Sequence, residues 1–138
     1  MGEDPALAET ILRQAAEKLP ADRATFLHLA GAAERAGKTD DARRALLDYY
    51  SLCPATDRRR GDIARRIADL SLRLKDVGAA MTWYTNAAAS SSSVSDLLEV
   101  ARAQMRLSDK AGAITTLNRL LEKDPGNEVA KALRAIAR

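Results

Sequence analysis

The chain has 138 residues, of which 46% are apolar, only 4% are aromatic and 30% are charged, with a formal net charge of +3. The length allows one domain with a buried core, and the alanine- and leucine-rich composition is typical of close-packed helices. The charge is too mild to indicate nucleic-acid binding, and a single cysteine excludes a disulfide or a thiolate metal site within the chain. No apolar run approaches the ~20 residues that a membrane-spanning helix needs.

The first predicted helix covers residues 6–19. Asp4-Pro5 is a good helix start, because proline fits the first helical position, and Pro20 closes the segment. The spacing of its apolar residues predicts one buried stripe along the helix. That stripe consists of Leu7, Ile11, Leu12, Ala15 and Leu19.

The stretch from Phe26 to Pro54 reads as two short amphipathic helices that pack as a pair. A second helix start at Asp22 precedes the stretch. A turn that begins at Gly37 joins the two helices, and Asp40 suits the N-terminus of the second one. Two helices of this length cannot bury their apolar stripes alone, so the pair needs neighbours.

Two further helix pairs and a final helix follow. Residues 61–75 and 77–90 form one predicted pair with a turn at Lys75-Asp76, after a polar connector that contains Arg58-Arg59-Arg60. Residues 95–107 and 110–123 form the next pair, with a turn at Ser108-Asp109. No stretch alternates as a strand would. The predicted fold class is therefore all-α.

An internal repeat relates these pairs. Ala42, Ala80 and Ala113 each stand early in a second helix, and larger apolar side chains follow each of them at the same spacing. With Ala8 of the first helix included, the intervals are 34, 38 and 33 residues. A period of ~34 residues is typical of helical repeat proteins.

The repeat resembles the tetratricopeptide repeat family over nearly the whole chain. The family's small residue in the first helix matches Ala30, Ala68 and Ala101. Its turn glycine matches Gly37, while Lys75 and Ser108 replace it in the later repeats. Its other positions match Phe26 (aromatic start), Ala8, Ala42, Ala80 and Ala113 (alanine), and Pro20, Pro54 and Pro125 (closing proline), with Ser92 in place of the middle proline.

The resemblance implies a right-handed α-solenoid of about eight helices. Single helices at both ends lead us to expect a segment of a longer array. The expected divisions are residues 4–20 as the second helix of a preceding repeat, 23–56, 61–93 and 94–127 as three repeats, and 128–138 as the first helix of a following repeat or a capping helix.

The sequence contains no pattern that indicates catalysis. His28 is the only histidine, and glycine-rich phosphate loops are absent. We therefore predict no enzyme activity and no catalytic, cofactor-binding or metal-binding residues. Arg60-Gly61-Asp62 is interpreted as a chance occurrence of a cell-adhesion tripeptide at a helix start, and Cys53 as an inert, partly buried thiol. The basic run before Gly61 is either a solvated connector or a site for an anionic partner.

In tetratricopeptide solenoids the first helices line a concave groove, and this resemblance implies the candidate site. Arg65, Arg102 and Lys131 would form a basic strip there, with Leu27, Leu98 and Met105 as apolar contacts. The full set of predicted groove residues is Leu27, Gly31, Glu34, Asp62, Arg65, Asp69, Arg73, Leu98, Arg102, Met105 and Lys131.

The predicted function is that of a non-catalytic scaffold that docks a peptide or helix of another protein, with an acidic segment as one candidate. The Asn and Lys set by which some family members hold chaperone C-termini is replaced here, for example by Arg66, Ser95 and Glu99. Self-association is one alternative. An RNA-binding helical repeat of the pentatricopeptide type is another, but its base-reading code is missing. No nucleic-acid partner and no membrane contact are expected.

The degenerate array is also similar to the periplasmic repeats of bacterial exopolysaccharide export proteins of the cellulose, alginate and Pel type. That similarity implies recruitment of polysaccharide-modifying enzymes, and it favours the bacterial periplasm over the cytoplasm. No residue motif carries it, and the compartment and the partner stay open.

Overall fold

The computed structural model describes residues 5–18, 23–91 and 93–138, with side chains for residues 13–18 not included. The described residues form eight α-helices and no strand, so the all-α prediction is confirmed. The residues Asp4, Leu19, Pro20, Asp22 and Ser92, and the side chain of Ala15, lie outside this description. The helices are α1 (Pro5–Lys18), α2 (Arg23–Arg35), α3 (Thr39–Leu52), α4 (Arg60–Arg73), α5 (Val77–Ser90), α6 (Val94–Arg106), α7 (Lys110–Lys123) and α8 (Glu128–Ala137).

The helices stack in chain order as an α-solenoid of helix–turn–helix pairs. The most extensive packing is between α2 and α3, α4 and α5, and α6 and α7, and each helix also contacts the next one along the chain. We call α2, α4 and α6 the first helices and α3, α5 and α7 the second helices.

Six alanines make this close packing possible. Ala30, Ala68 and Ala101 in the first helices, and Ala42, Ala80 and Ala113 in the second helices, are all 0% exposed. A larger side chain at any of these crossings would hold the helices apart. Their predicted role as buried packing positions is confirmed.

The core is continuous through α4, which contributes to both of its halves. Ile63 and Ile67 of α4 pack with Phe26, Leu46 and Tyr49. On its other side, α4 packs Ala64 and Ala68 against α5 and α6. The prediction for α1 is partly wrong, because Leu12 packs on the core whereas Leu7 and Ile11 are 58% and 55% exposed.

The three turns within the pairs share one backbone geometry. Gly37, Lys75 and Ser108 have φ angles of 76°, 61° and 60°, which lie in the left-handed region. In each turn the next amide N–H bonds to a carbonyl five residues back, as in Lys38 N to Ala33 O at 2.8 Å. This Schellman geometry ends the first helix and aims the chain into the second. Glycine occupies the turn position once, and two residues with side chains adopt the same conformation.

Candidate partner-binding groove

The first helices have solvent-accessible sides that lie next to one another. Arg66 of α4 donates to Glu34 Oε1 of α2 at 2.7 Å, and Arg65 of α4 donates to Glu99 Oε2 of α6 at 2.5 Å. These bonds join the three helices side by side, so we call this surface the groove face. All eleven predicted residues retain solvent access, and none of them is in the buried core.

The ion pairs compensate part of the predicted basic strip. Arg65 is held by Glu99 and, at 3.5 Å, by Asp96. Lys131 Nζ lies 3.7 Å from Glu128 on its own helix. Arg102 is exposed and has no hydrogen-bond or ion-pair partner among the described residues. Of the three predicted cations, Arg102 is therefore the one that keeps an uncompensated charge.

A pocket of about 420 Å³ opens between α4 and α6 on the groove face. We call it the α4–α6 pocket. It brings together three predicted residues, Arg65, Asp69 and Arg102. Four residues outside the prediction complete its lining, namely Tyr84, Glu99, Ala103 and Arg106.

Tyr84 closes the inner end of this pocket. It belongs to α5 and is 2% exposed, yet its hydroxyl reaches between the first helices and donates a hydrogen bond to Asp69 Oδ1. Burial, together with the hydrogen bond to the Asp69 carboxylate, raises the pKa of the Tyr84 phenol far above its ordinary value. The phenol therefore stays a neutral donor and occupies one oxygen of Asp69.

The other predicted residues lie elsewhere on the face. Leu27 and Leu98 are half-buried and pack against the core, so only part of each side chain is available to a partner. Asp62 lies in the first turn of α4 and lines a second pocket of about 490 Å³ with Arg65 and Arg58. The remaining predicted residues, which no described pocket includes, are Gly31, Glu34, Arg73, Met105 and Lys131.

Sequence reasoning overlooked Arg106 and Tyr84, for different reasons. Arg106 follows Arg102 by one helical turn, which the i, i+4 spacing on one helix face could have revealed. Tyr84 follows Ala80 by four residues, at the spacing where a larger apolar side chain is expected to pack, and its ring does pack in the core. Only its hydroxyl reaches the pocket, and no sequence pattern distinguishes the two ends of a tyrosine.

The basic run before α4 divides by role. The Arg60 guanidinium lies over the Tyr50 ring at 4.1 Å and donates to Cys53 O at 2.7 Å, so it anchors the connector. Cys53 itself is buried, and burial raises the pKa of its thiol. Arg58 is exposed, in keeping with either interpretation of the run.

The described residues contain no group of three or more His, Cys, Asp or Glu side chains that could hold a metal ion. His28 is exposed on α2. Within the described part of the chain, no helix is both long and apolar enough to cross a bilayer.

The stack of helical pairs with adjacent first helices is an α-solenoid with a tetratricopeptide-like fold. In agreement, residues 97–127 match the tetratricopeptide repeat model, within the predicted third repeat. The chain is also similar in fold to two crystal structures of MamA, each with a TM-score of 0.63. The identities are 16% and 15%, over 94% of this chain and 69% and 74% of the MamA chains. At such identities the similarity is one of fold. Among curated proteins, none matches the chain in sequence.

Proposed function

We propose that the chain is a non-catalytic scaffold that docks a segment of a partner protein on its groove face. Tetratricopeptide folds typically bind proteins, and the match of residues 97–127 supports that general role. The observation that supports this surface is the α4–α6 pocket, where Arg102 and Arg106 have no counter-ion among the described residues.

The mechanism is binding to a surface that is formed in advance. The Arg65–Glu99 and Arg66–Glu34 pairs are partly exposed, and such pairs contribute only about 0–1 kcal/mol each to stability. They bridge the first helices, whereas the buried core that α4 shares with both neighbouring pairs fixes how these helices lie. Because the scaffold is ordered before binding, it loses little conformational entropy when a partner docks, and this favours affinity.

A steric test addresses the site without assuming the chemistry of the partner. Peptides selected from a random displayed library for binding to the wild-type chain would be measured, by fluorescence anisotropy, against Arg102→Trp, which fills the pocket. Lys110→Trp is the matched control, since Lys110 is exposed at the start of α7. We expect Arg102→Trp to weaken binding at least about tenfold and the control to change it less than about twofold. Peptides that bind both variants like the wild type would overturn the assignment of the groove.

A second candidate function is self-association, which exposed apolar residues on α1 and α8 favour. Leu7 and Ile11 of α1 and Val129 and Ile136 of α8 are between 45% and 69% exposed. Burying such residues against another copy would be favourable. Sedimentation velocity at several concentrations tests this. A monomer at every concentration, with no difference between the wild type and Ile136→Glu, would exclude it.

Within the scaffold function, we propose recruitment of polysaccharide-modifying enzymes in bacterial exopolysaccharide export as the narrower role. Its support is the similarity of the degenerate array noted above. Binding of a purified modifying enzyme to the wild-type chain, lost in Arg102→Trp and kept in Lys110→Trp, is the expected result.

A further inference from the structure

We infer that the partner segment is acidic and extended, and that a row of arginines along the groove face recognises it. This inference rests on the proposed docking function and specifies the chemistry of the docked segment. The row consists of Arg35, Arg73 and Arg106, with Arg102 beside the last of them in the α4–α6 pocket. We call these four residues the arginine row.

The row follows the repeat of the fold. Arg35, Arg73 and Arg106 are each the last residue of a first helix. Each follows the buried alanine of its helix, at position 30, 68 or 101, by five residues. Each also lies four residues, or one turn, after a predicted groove residue, at position 31, 69 or 102. The solenoid therefore repeats one cation at one place on successive helices.

These arginines are free to bind a ligand, in contrast to the other arginines of the groove face. Arg35, Arg73, Arg102 and Arg106 are all exposed, and within residues 23–91 and 93–138 none of them has a hydrogen-bond or ion-pair partner. Arg65 and Arg66, by comparison, are committed to carboxylates on neighbouring helices.

The carboxylates of the same face are already engaged. Glu34 accepts from Arg66, Glu99 accepts from Arg65, and Asp69 accepts from Tyr84. Asp62, in the first turn of α4, lies where a helix N-terminus stabilises a negative charge. Asp62 and Asp69 keep their negative charges, since neither has a cationic partner among the described residues, but the four arginines outnumber them, and the net charge along the row is therefore positive.

A helix C-terminus also stabilises a cation through its dipole, which offers a simpler account of arginine at these positions. That account applies equally to the second helices. Among the second helices only α7 has a basic residue in its last turn, Lys123, and α3 and α5 have none, whereas all three first helices have one. The dipole alone does not explain why the cations are confined to the groove face in the α2–α3 and α4–α5 pairs.

The geometry favours an acidic peptide as the occupant. Guanidinium groups bind carboxylates through paired hydrogen bonds. Side-chain ion pairs bridge the neighbouring first helices, which places these helices on the order of 10 Å apart. An extended chain advances about 3.3 Å per residue, so a carboxylate at every third residue would match the row. A nucleic acid fits less well, because the aromatic ring in the pocket, that of Tyr84, is buried rather than available for base stacking.

The test measures binding of a labelled peptide with the repeat Asp-Gly-Gly by fluorescence anisotropy at low and moderate salt. A peptide of the same composition with adjacent aspartates and a single-stranded DNA of similar charge serve as ligand controls. The protein variants are the wild type, the combined variant Arg35→Ala/Arg73→Ala/Arg106→Ala, and a variant with the same change in charge outside the row. That control is Arg44→Ala/Lys110→Ala/Lys123→Ala, at exposed positions on α3 and α7.

We expect the spaced acidic peptide to bind the wild type, to lose at least about tenfold in affinity for the row variant and less than about twofold for the control. Circular dichroism melting verifies folding, and if the row variant unfolds, the corresponding triple lysine variant, which keeps charge but loses paired hydrogen bonds, replaces it. Equal losses in both variants, tighter binding of DNA, or no binding to the wild type would overturn the arginine row. If, in addition, the library peptides bind Arg102→Trp as tightly as the wild type, the groove assignment is also wrong. If Arg102→Trp weakens their binding, only the acidic specificity is wrong.

Discussion

Lys38 and Glu9 form an ion pair between the turn before α3 and helix α1, with Lys38 Nζ 3.2 Å from Glu9 Oε2. The Glu9 side chain is only 4% exposed, whereas that of Lys38 is 44% exposed. Lys38 stands at the N-cap of α3 and makes no capping hydrogen bond. At the same place before α5 and α7, Asp76 and Asp109 cap their helices. The turn before α3 therefore has an ion pair to α1 in place of the side-chain cap.

Lys38→Asp should destabilise the protein, although a rule about helix caps alone predicts the opposite. The backbone at Lys38 (φ −93°, ψ 75°) matches that at Asp76 (φ −93°, ψ 78°), so an aspartate could cap α3 and gain about 1 kcal/mol. It would also remove a cation that faces the buried Glu9 and add a second negative charge. We expect a net loss of about 1–2 kcal/mol in the free energy of unfolding, measured by urea denaturation. A variant more stable than the wild type would show that the Lys38–Glu9 ion pair contributes less to stability than a side-chain cap.

Gly112→Ala should be costly, whereas Gly78→Ala should not. A Cβ on Gly112 would lie 2.3 Å from Asp109 Oδ2 and 2.9 Å from Gln104 Nε2. Neither side chain can move freely, because Asp109 caps α7 through the Gly112 amide and the buried Gln104 accepts a hydrogen bond from Thr116 at 2.7 Å. We expect a loss of about 1–3 kcal/mol in unfolding free energy from overpacking.

Gly78 is the matched control, since it also lies in the first turn of a second helix and a Cβ there would meet nothing within 4 Å. Alanine at this position should gain up to about 1 kcal/mol, because it restricts the unfolded chain. Thermal melting of both variants checks the pair. Equal melting temperatures would mean that Asp109 and Gln104 adapt without cost.

The architecture could be predicted from the sequence because it depends on spacing. The buried alanines at 42, 80 and 113 set the phase of the second helices, and their complete burial follows from it. The site was harder to predict, because it depends on which charges neutralise each other across helices. Arg65 and Arg102 look alike in sequence, and only the positions of Asp96 and Glu99 on α6 make Arg65 a compensated guanidinium, while Arg102 has no such partner among the described residues.

The same limit explains the turns. A turn glycine was predicted at Gly37 and recognised as missing at Lys75 and Ser108, yet all three positions adopt a left-handed backbone. Packing of the pairs overrides the local preference of a lysine and a serine. Lys75 and Ser108 therefore adopt a backbone conformation that glycine would adopt at lower cost.

Replacing Lys75 or Ser108 by glycine should therefore stabilise the protein. The left-handed region costs an L-residue about 1 kcal/mol or more relative to glycine, and the φ angles of 61° and 60° lie within it. Part of that gain is offset by the greater freedom of glycine in the unfolded chain. We expect each variant to gain about 0.5–1 kcal/mol and Gly37→Ala to lose a similar amount, by urea denaturation. Destabilisation by both glycine variants would imply that the two side chains make contacts that outweigh the backbone preference.

Stability at alkaline pH should depend on Tyr84. Because burial and the bond to Asp69 raise the pKa of this phenol in the folded protein, the folded state keeps a proton that the unfolded state loses above a pH of about 10. Its contribution is therefore complete below pH 10 and declines as the pH rises above that value. In Tyr84→Phe this component is absent. Between pH 10 and 11.5, the difference in unfolding free energy between wild type and Tyr84→Phe should shrink by up to about 1.4 kcal/mol per pH unit. A difference that stays constant over this interval would mean that the Tyr84 phenol titrates in the folded protein as it does in the unfolded chain.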